Sequence, residues 1–118
     1  MIKLKRIYDA RQVSDGHRVL VDRLWPRGVK KEAAALEEWL RDIAPSPQLR
    51  KWFGHDPARW DEFVKCYRRE LASADAAPRL AHLRQLSRKG TLTLLYAARE
   101  ERHNSAVVLR DVLESGAA

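Results

Sequence analysis

The residues best suited to bind anions or move protons fall in two short segments of this 118-residue chain. The first is Asp22-Arg23-Leu24-Trp25-Pro26-Arg27-Gly28. Arg23 and Arg27 offer planar, forked donors that match phosphate or carboxylate. Pro26 stiffens the loop, and Gly28 permits a close backbone approach or a positive φ. Trp25 offers a ring on which a base could stack. The same spacing also suits a well-made turn, with Trp25 packed on a sheet and Arg23 paired to Asp22. The segment is not a P-loop and lacks the G-x-G-x-x-G pattern, so no nucleotide fingerprint applies.

The second segment is Arg99-Glu100-Glu101-Arg102-His103-Asn104. It leads into a helix, whose first turn exposes unpaired N–H groups and a partial positive charge. Asn104 or Ser105 can cap that helix, and His103 beside it could hold an anion or carry a proton. A plain surface loop with a capping Asn is the alternative. A third candidate, His55, lies in Gly54-His55-Asp56-Pro57. Gathering His55, His103, Asp9 and Asp22 round a metal finds no support in their spacing, so no metal site is expected. No cofactor is implied either. The single cysteine, Cys66, sits at the margin of an apolar helix stripe and reads as a partly buried structural residue.

Three runs read as the strands that position these segments: 2–8, 18–22 and 91–98. The continuous apolar stretches Val19–Val21 and Leu92–Tyr96 suit strands covered on both faces. Helices are expected over 33–43, with Leu36, Trp39, Leu40 and Ile43 on one face, and after Ser46-Pro47, Asp56-Pro57 and Pro78. A last one is expected from about Asn104 to Glu114. Trp39, Trp52 and Trp60 fall at helical spacing as core or interface aromatics. Residues 115–118 are expected to fray.

This order predicts one domain over 1–118 of the α/β class: a small layered Rossmann-like unit, with a short, mostly parallel sheet of about three strands and about five flanking helices. Ligands of open α/β sheets bind outside the carboxyl ends of the strands. Parallel second and third strands would therefore bring the 22–28 and 99–104 segments to one edge. Residues 9–17 are too few for an ordinary helical crossover. The first two strands are thus either antiparallel or parallel with an extended connection.

Net charge is +7, and residues 1–32 carry nine Lys/Arg against four Asp/Glu. Such a balance fits an approaching polyanion or phosphorylated ligand, and equally a merely basic surface. No apolar run approaches the ~20 residues of a membrane span. The N-terminus lacks a signal-peptide core. A reducing cytoplasm is the expected location.

Three strings, RVLVDRLWPRG (18–28), APS..LRKWFGHDP..W.EF (44–63) and LTLLYAAREERHNSAVVL (92–109), carry a resemblance. Together they resemble the YeaO-like branch of the domain-of-unknown-function 488 family over nearly the whole chain. The resemblance implies a parallel sheet in which a helix found between the first two strands of longer members has been lost. It also implies an aspartate-x-arginine pattern at Asp22 and a Cys-His-Arg pattern at Arg102-His103-Asn104, of which only His103 is retained. No established reaction comes with the family. Its motifs nevertheless fall on the strand-end clusters. The expected site is therefore Asp22 and His103 as an acid/base pair, with Arg23, Trp25, Arg27, Gly28, His55 and Asn104 contacting a small anionic or phosphorylated ligand. The alternatives are a nucleic-acid binder that uses Trp25 among Arg23, Arg27, Lys30 and Lys31, and a protein-interaction module or homodimer.

Overall fold

The structure, a computed structural model, describes residues 1–115. Its centre is β4 (Leu92–Tyr96), whose five residues are all buried. Leu92, Leu94 and Tyr96 join the larger apolar core, whereas Leu95 joins a smaller one on the opposite face. A strand apolar towards both sides must be covered on both, as its continuous run predicts. β1 (Ile2–Arg6) flanks it on one side, from Ile2 opposite Leu92 to Arg6 opposite Tyr96. β2 (His17–Leu20) flanks it on the other, from His17 opposite Leu92 to Leu20 opposite Leu95. β3 (Glu38–Trp39) pairs with the outer side of β2. All pairings are parallel, and the order is β1-β4-β2-β3. The first two strands are thus parallel, with β4 between them. Residues 7–16 connect them as an extended crossover containing one 3-10 turn, Val13–Asp15.

Four helices supply the larger core: α2 (Pro47–Phe53), α3 (Trp60–Leu71), α4 (Ala77–Lys89) and α5 (Ser105–Ser115). Their starts follow local chemistry. Ser46 caps α2 by accepting the Leu49 N–H at 3.2 Å, with Pro47 at the first position. Asp56 caps a short turn, Pro57–Arg59, from which α3 continues. The one-turn α1 (Lys31–Ala34) contributes Ala34 to the smaller core.

Residues 33–43 do not form the expected helix, and β3 is the strand beyond the three expected. α1 stops at Ala35, which has φ 52°. The buried Arg18 explains the stop. Its guanidinium donates to the carbonyls of Ala34 at 3.0 Å and Ala35 at 3.1 Å, acceptors a continuing helix would need. The chain is then drawn into register with β2: Glu37 N–H donates to the Arg18 carbonyl at 3.0 Å, and Leu40 N–H to that of Leu20 at 2.9 Å. Leu36 and Trp39 go to the smaller core, and Leu40 and Ile43 to the larger. Their helical spacing serves two faces of a sheet rather than one face of a helix.

At the amino ends of the strands, Asp15 is fully buried and meets Arg18 at 2.6 Å, Lys5 at 3.1 Å and Lys3 at 3.4 Å. Burial alone would raise its carboxyl. The Gln12 N–H and the Lys5, Arg18 and Lys3 cations outweigh that and hold it well below the usual carboxylate range. The expected fraying of 115–118 falls outside the described residues except at Ser115, which ends α5. Among the described residues no helix is long and apolar enough to cross a membrane.

Candidate functional site

The parallel sheet places the carboxyl ends of β2 and β4 side by side. Val21 continues the ladder by donating to the Leu95 carbonyl at 3.1 Å. Asp22 follows and joins the two loops directly: its Oδ2 accepts the Ala97 N–H at 2.8 Å. A cleft of about 440 Å³ opens over this junction. The 22–27 loop, residues 96–98 and Asn104-Ser105 form part of its wall, and Ala44, Pro45, Arg50, Phe53, His55, Phe63 and Tyr8 complete it.

Burial raises the Asp22 carboxyl above the ordinary carboxylate value. The Ala97 N–H and the neighbouring His55 and Arg50 offset only part of that shift. The Asp22 carbonyl is held as well, accepting the Trp39 Nε1–H at 2.7 Å.

The two arginines of the loop do different work. Arg23 is committed to the protein: Nε donates to the Pro45 carbonyl at 3.1 Å, Nη2 to that of Ala44 at 3.1 Å, and Nη1 lies 3.6 Å from Asp42. It therefore builds a wall of the cleft. Arg27 is exposed, and no hydrogen bond or ion pair among the described residues occupies its guanidinium. Arg50, exposed on α2, is in the same condition. Trp25 is also committed. Its Nε1–H donates to the Val29 carbonyl at 2.7 Å, and its ring meets Trp39 edge-on at 5.3 Å.

Gly28 has φ 75° and open space where a Cβ would stand, so the turn needs its backbone conformation rather than a close approach. It is not among the lining residues. His55 lines the cleft in a left-handed conformation, φ 58°, uncommon for a residue with a side chain. Asn104 is buried and caps α5: Oδ1 accepts the Val107 N–H at 3.1 Å, and Nδ2 donates to the Glu100 carbonyl at 2.8 Å. His103 is turned elsewhere. Its ring packs 4.9 Å from that of Trp60, and its Nδ1 lies 3.7 Å from Glu100. It does not line the cleft, so the structure does not bring it together with Asp22. Among the described residues no cluster of three His, Cys, Asp or Glu side chains could hold a metal ion.

A family model described as the inactive DUF488-N3 subclade matches residues 1–118. The chain belongs to the DUF488 family. Among its relatives, the uncharacterized protein YeaO of Escherichia coli (strain K12) is 45% identical over 114 residues, 97% of each chain. The uncharacterized proteins Rv3073c of Mycobacterium tuberculosis and Mb3100c of Mycobacterium bovis are each 39% identical over 112 residues, 95% of this chain and 92% of theirs. No solved structure matches the chain significantly.

Sequence reasoning missed several cleft residues of this DUF488 chain. Tyr8 was within reach, because a parallel β1 brings its carboxyl end to the same edge. Arg50 carries no local signal: it reaches the cleft because α2, packed on α3, lends Arg50 and Phe53 to its wall. Phe53, Phe63 and Tyr96 read simply as core.

Proposed function

We propose that the cleft at the carboxyl ends of β2 and β4 binds a small anionic molecule bearing phosphate or carboxylate. One observation carries the reading: Arg27 and Arg50, from separate elements, both line the cleft with no acceptor for their guanidinium groups among the described residues. Their neighbours Arg6 and Arg23 each commit Nε and Nη2 to backbone carbonyls. A pair of open forks over an apolar-walled cleft suits an oxyanion. The first turn of α5, beside Ser105, adds positive potential at the cleft.

Binding without turnover is the form of this reading that the family description, an inactive subclade, supports. Acid–base chemistry by Asp22 and His103 would require His103 to leave Trp60 and Glu100. Asp22 serves here as a polar contact for the ligand.

The test compares wild type with the Arg27→Ala/Arg50→Ala double variant. Inorganic phosphate at millimolar concentration should raise the wild-type melting temperature more than chloride at equal ionic strength. The double variant should keep its fold and lose the difference. Equal shifts for both anions in wild type would refute the reading.

A further inference from the structure

We propose that the ligand of this cleft is a nucleoside monophosphate whose base stacks on Tyr8. The inference rests on the anion-binding reading above and adds the ligand's class.

Tyr8 is an unusual aromatic. It remains 47% exposed, yet it is held at two points. Its hydroxyl donates to the Arg27 carbonyl at 3.0 Å, and the Arg6 guanidinium lies 4.9 Å from its ring centroid. Arg6 is itself fixed, donating to the carbonyls of Ala97 and Ala98 at 3.1 and 3.0 Å. The ring is thus positioned at the cleft by both strand-end loops while much of its surface stays in water. Its order is already established before any ligand arrives, which is what a stacking platform needs.

The other aromatics of the cleft are used up. Trp25 is hydrogen-bonded to Val29 and set against Trp39. Phe53 and Phe63 are buried and stacked on each other at 4.3 Å, and Tyr96 is buried in the larger core. Stacking therefore falls to Tyr8 rather than Trp25.

Asp22 narrows the ligand further. One carboxylate oxygen takes the Ala97 N–H, and the other accepts no hydrogen bond among the described residues. A bare oxyanion on Arg27 and Arg50 would gain nothing from this carboxyl and would be repelled by it when ionised. A ligand with neutral hydroxyl donors beside its anionic group turns the same carboxyl into a contact. Inorganic phosphate uses the arginines alone. A sugar phosphate uses the arginines and Asp22. A nucleoside monophosphate uses those and the Tyr8 ring, and a volume of about 440 Å³ lies within the usual range for such small molecules.

The experiment titrates inorganic phosphate, ribose 5-phosphate and AMP by calorimetry into wild type, Tyr8→Phe, Tyr8→Leu and Tyr8→Ala, at one pH and ionic strength. In wild type AMP should bind about tenfold or more tighter than ribose 5-phosphate. Tyr8→Phe keeps the ring and should keep most of that ratio. Tyr8→Leu and Tyr8→Ala should bring it close to one while phosphate affinity stays unchanged. Tyr8→Leu retains apolar bulk and guards against a folding defect in Tyr8→Ala. Equal affinity of AMP and ribose 5-phosphate in wild type, or a ratio that survives Tyr8→Leu, overturns the ligand class and leaves the anion site standing. Failure of all three ligands to bind overturns both.

Discussion

Arg23 and Arg27 are indistinguishable by residue type, yet the structure predicts sharply different consequences when each is removed. Arg23→Ala deletes two charge-assisted hydrogen bonds, to the carbonyls of Ala44 and Pro45, which sit in buried residues. Bonds of this kind contribute about 1.5–3 kcal/mol each. The 3.6 Å contact with Asp42, a largely exposed partner, adds at most about 1 kcal/mol. Part of the loss is recovered if water reaches the freed carbonyls, so a net cost of about 2–4 kcal/mol is expected. That is a large share of the ~5–15 kcal/mol that holds a domain together. Arg27→Ala breaks no side-chain hydrogen bond or ion pair among the described residues and should change stability by no more than about 0.5 kcal/mol. Urea unfolding decides the matter. Arg23→Ala should move the midpoint down by about 1–2 M with an unchanged m-value, and Arg27→Ala should leave it in place. Arg23→Lys refines the test: it keeps the charge but cannot span two carbonyls with one fork, so it should recover only about half the loss. Equal midpoints for the two alanine variants would refute the division of labour. A fully stable Arg23→Lys would refute the geometric account while keeping the electrostatic one.

Asp15→Asn should cost about 3–5 kcal/mol in chemical denaturation, because it strands the buried Arg18; a cost below about 1 kcal/mol would show that Arg18 is satisfied by its carbonyls alone. Asp15 and Glu38, the latter held low by His82 and His17 despite its own burial, both titrate below their unfolded values. Their stabilisation is present above the ordinary carboxylate range and is lost as pH falls towards the lower folded values. Asp15→Asn should therefore flatten the acid side of the stability–pH curve. Gly16→Ala should be far more damaging than Gly28→Ala. Both have positive φ, but a Cβ at 16 overlaps the Thr91 carbonyl, whereas one at 28 meets open space and costs about 1–2 kcal/mol; similar melting temperatures for the two would contradict this.

Much of this arrangement is legible in the sequence because its determinants are local or periodic. Val19–Val21 and Leu92–Tyr96 mark the sheet interior through continuous apolar runs, and Ser46-Pro47 and Asp56-Pro57 mark helix starts through capping. Placing the 22–28 and 99–104 loops at one edge needs only parallel strands, and the Asp22–Ala97 bond ties the chain just after β2 to the chain just after β4. The rest depends on contacts distant in sequence. β3 exists because Arg18 intercepts the carbonyls at the end of α1, and no window over 33–43 contains that information. The 22–28 segment does not reveal which arginine stays open. That depends on where the 44–45 carbonyls come to lie. His103 has the right neighbours in sequence for the cleft, but Trp60, from α3, supplies a better surface for its ring.

The basic N-terminal quarter takes a different meaning from these contacts. Nine Lys/Arg in residues 1–32 suggest a surface made to follow a polyanion. Five of them have internal assignments. Lys3, Lys5 and Arg18 converge on one buried carboxylate, while Arg6 and Arg23 satisfy carbonyls at the strand ends and in the cleft wall. A buried carboxylate demands compensating cations, and carbonyls beyond the ends of the ladders demand donors. An excess of basic residues here is therefore partly a structural requirement of a sheet whose β1–β2 crossover is short. Of the other four, Arg11, Arg27, Lys30 and Lys31, all are exposed and only Arg27 lines the cleft, where Arg50 from α2 joins it. Their proximity is a property of packing, not of composition. The proposed anion site therefore rests on the two arginines that packing brings to the cleft and not on the basic count of the first quarter.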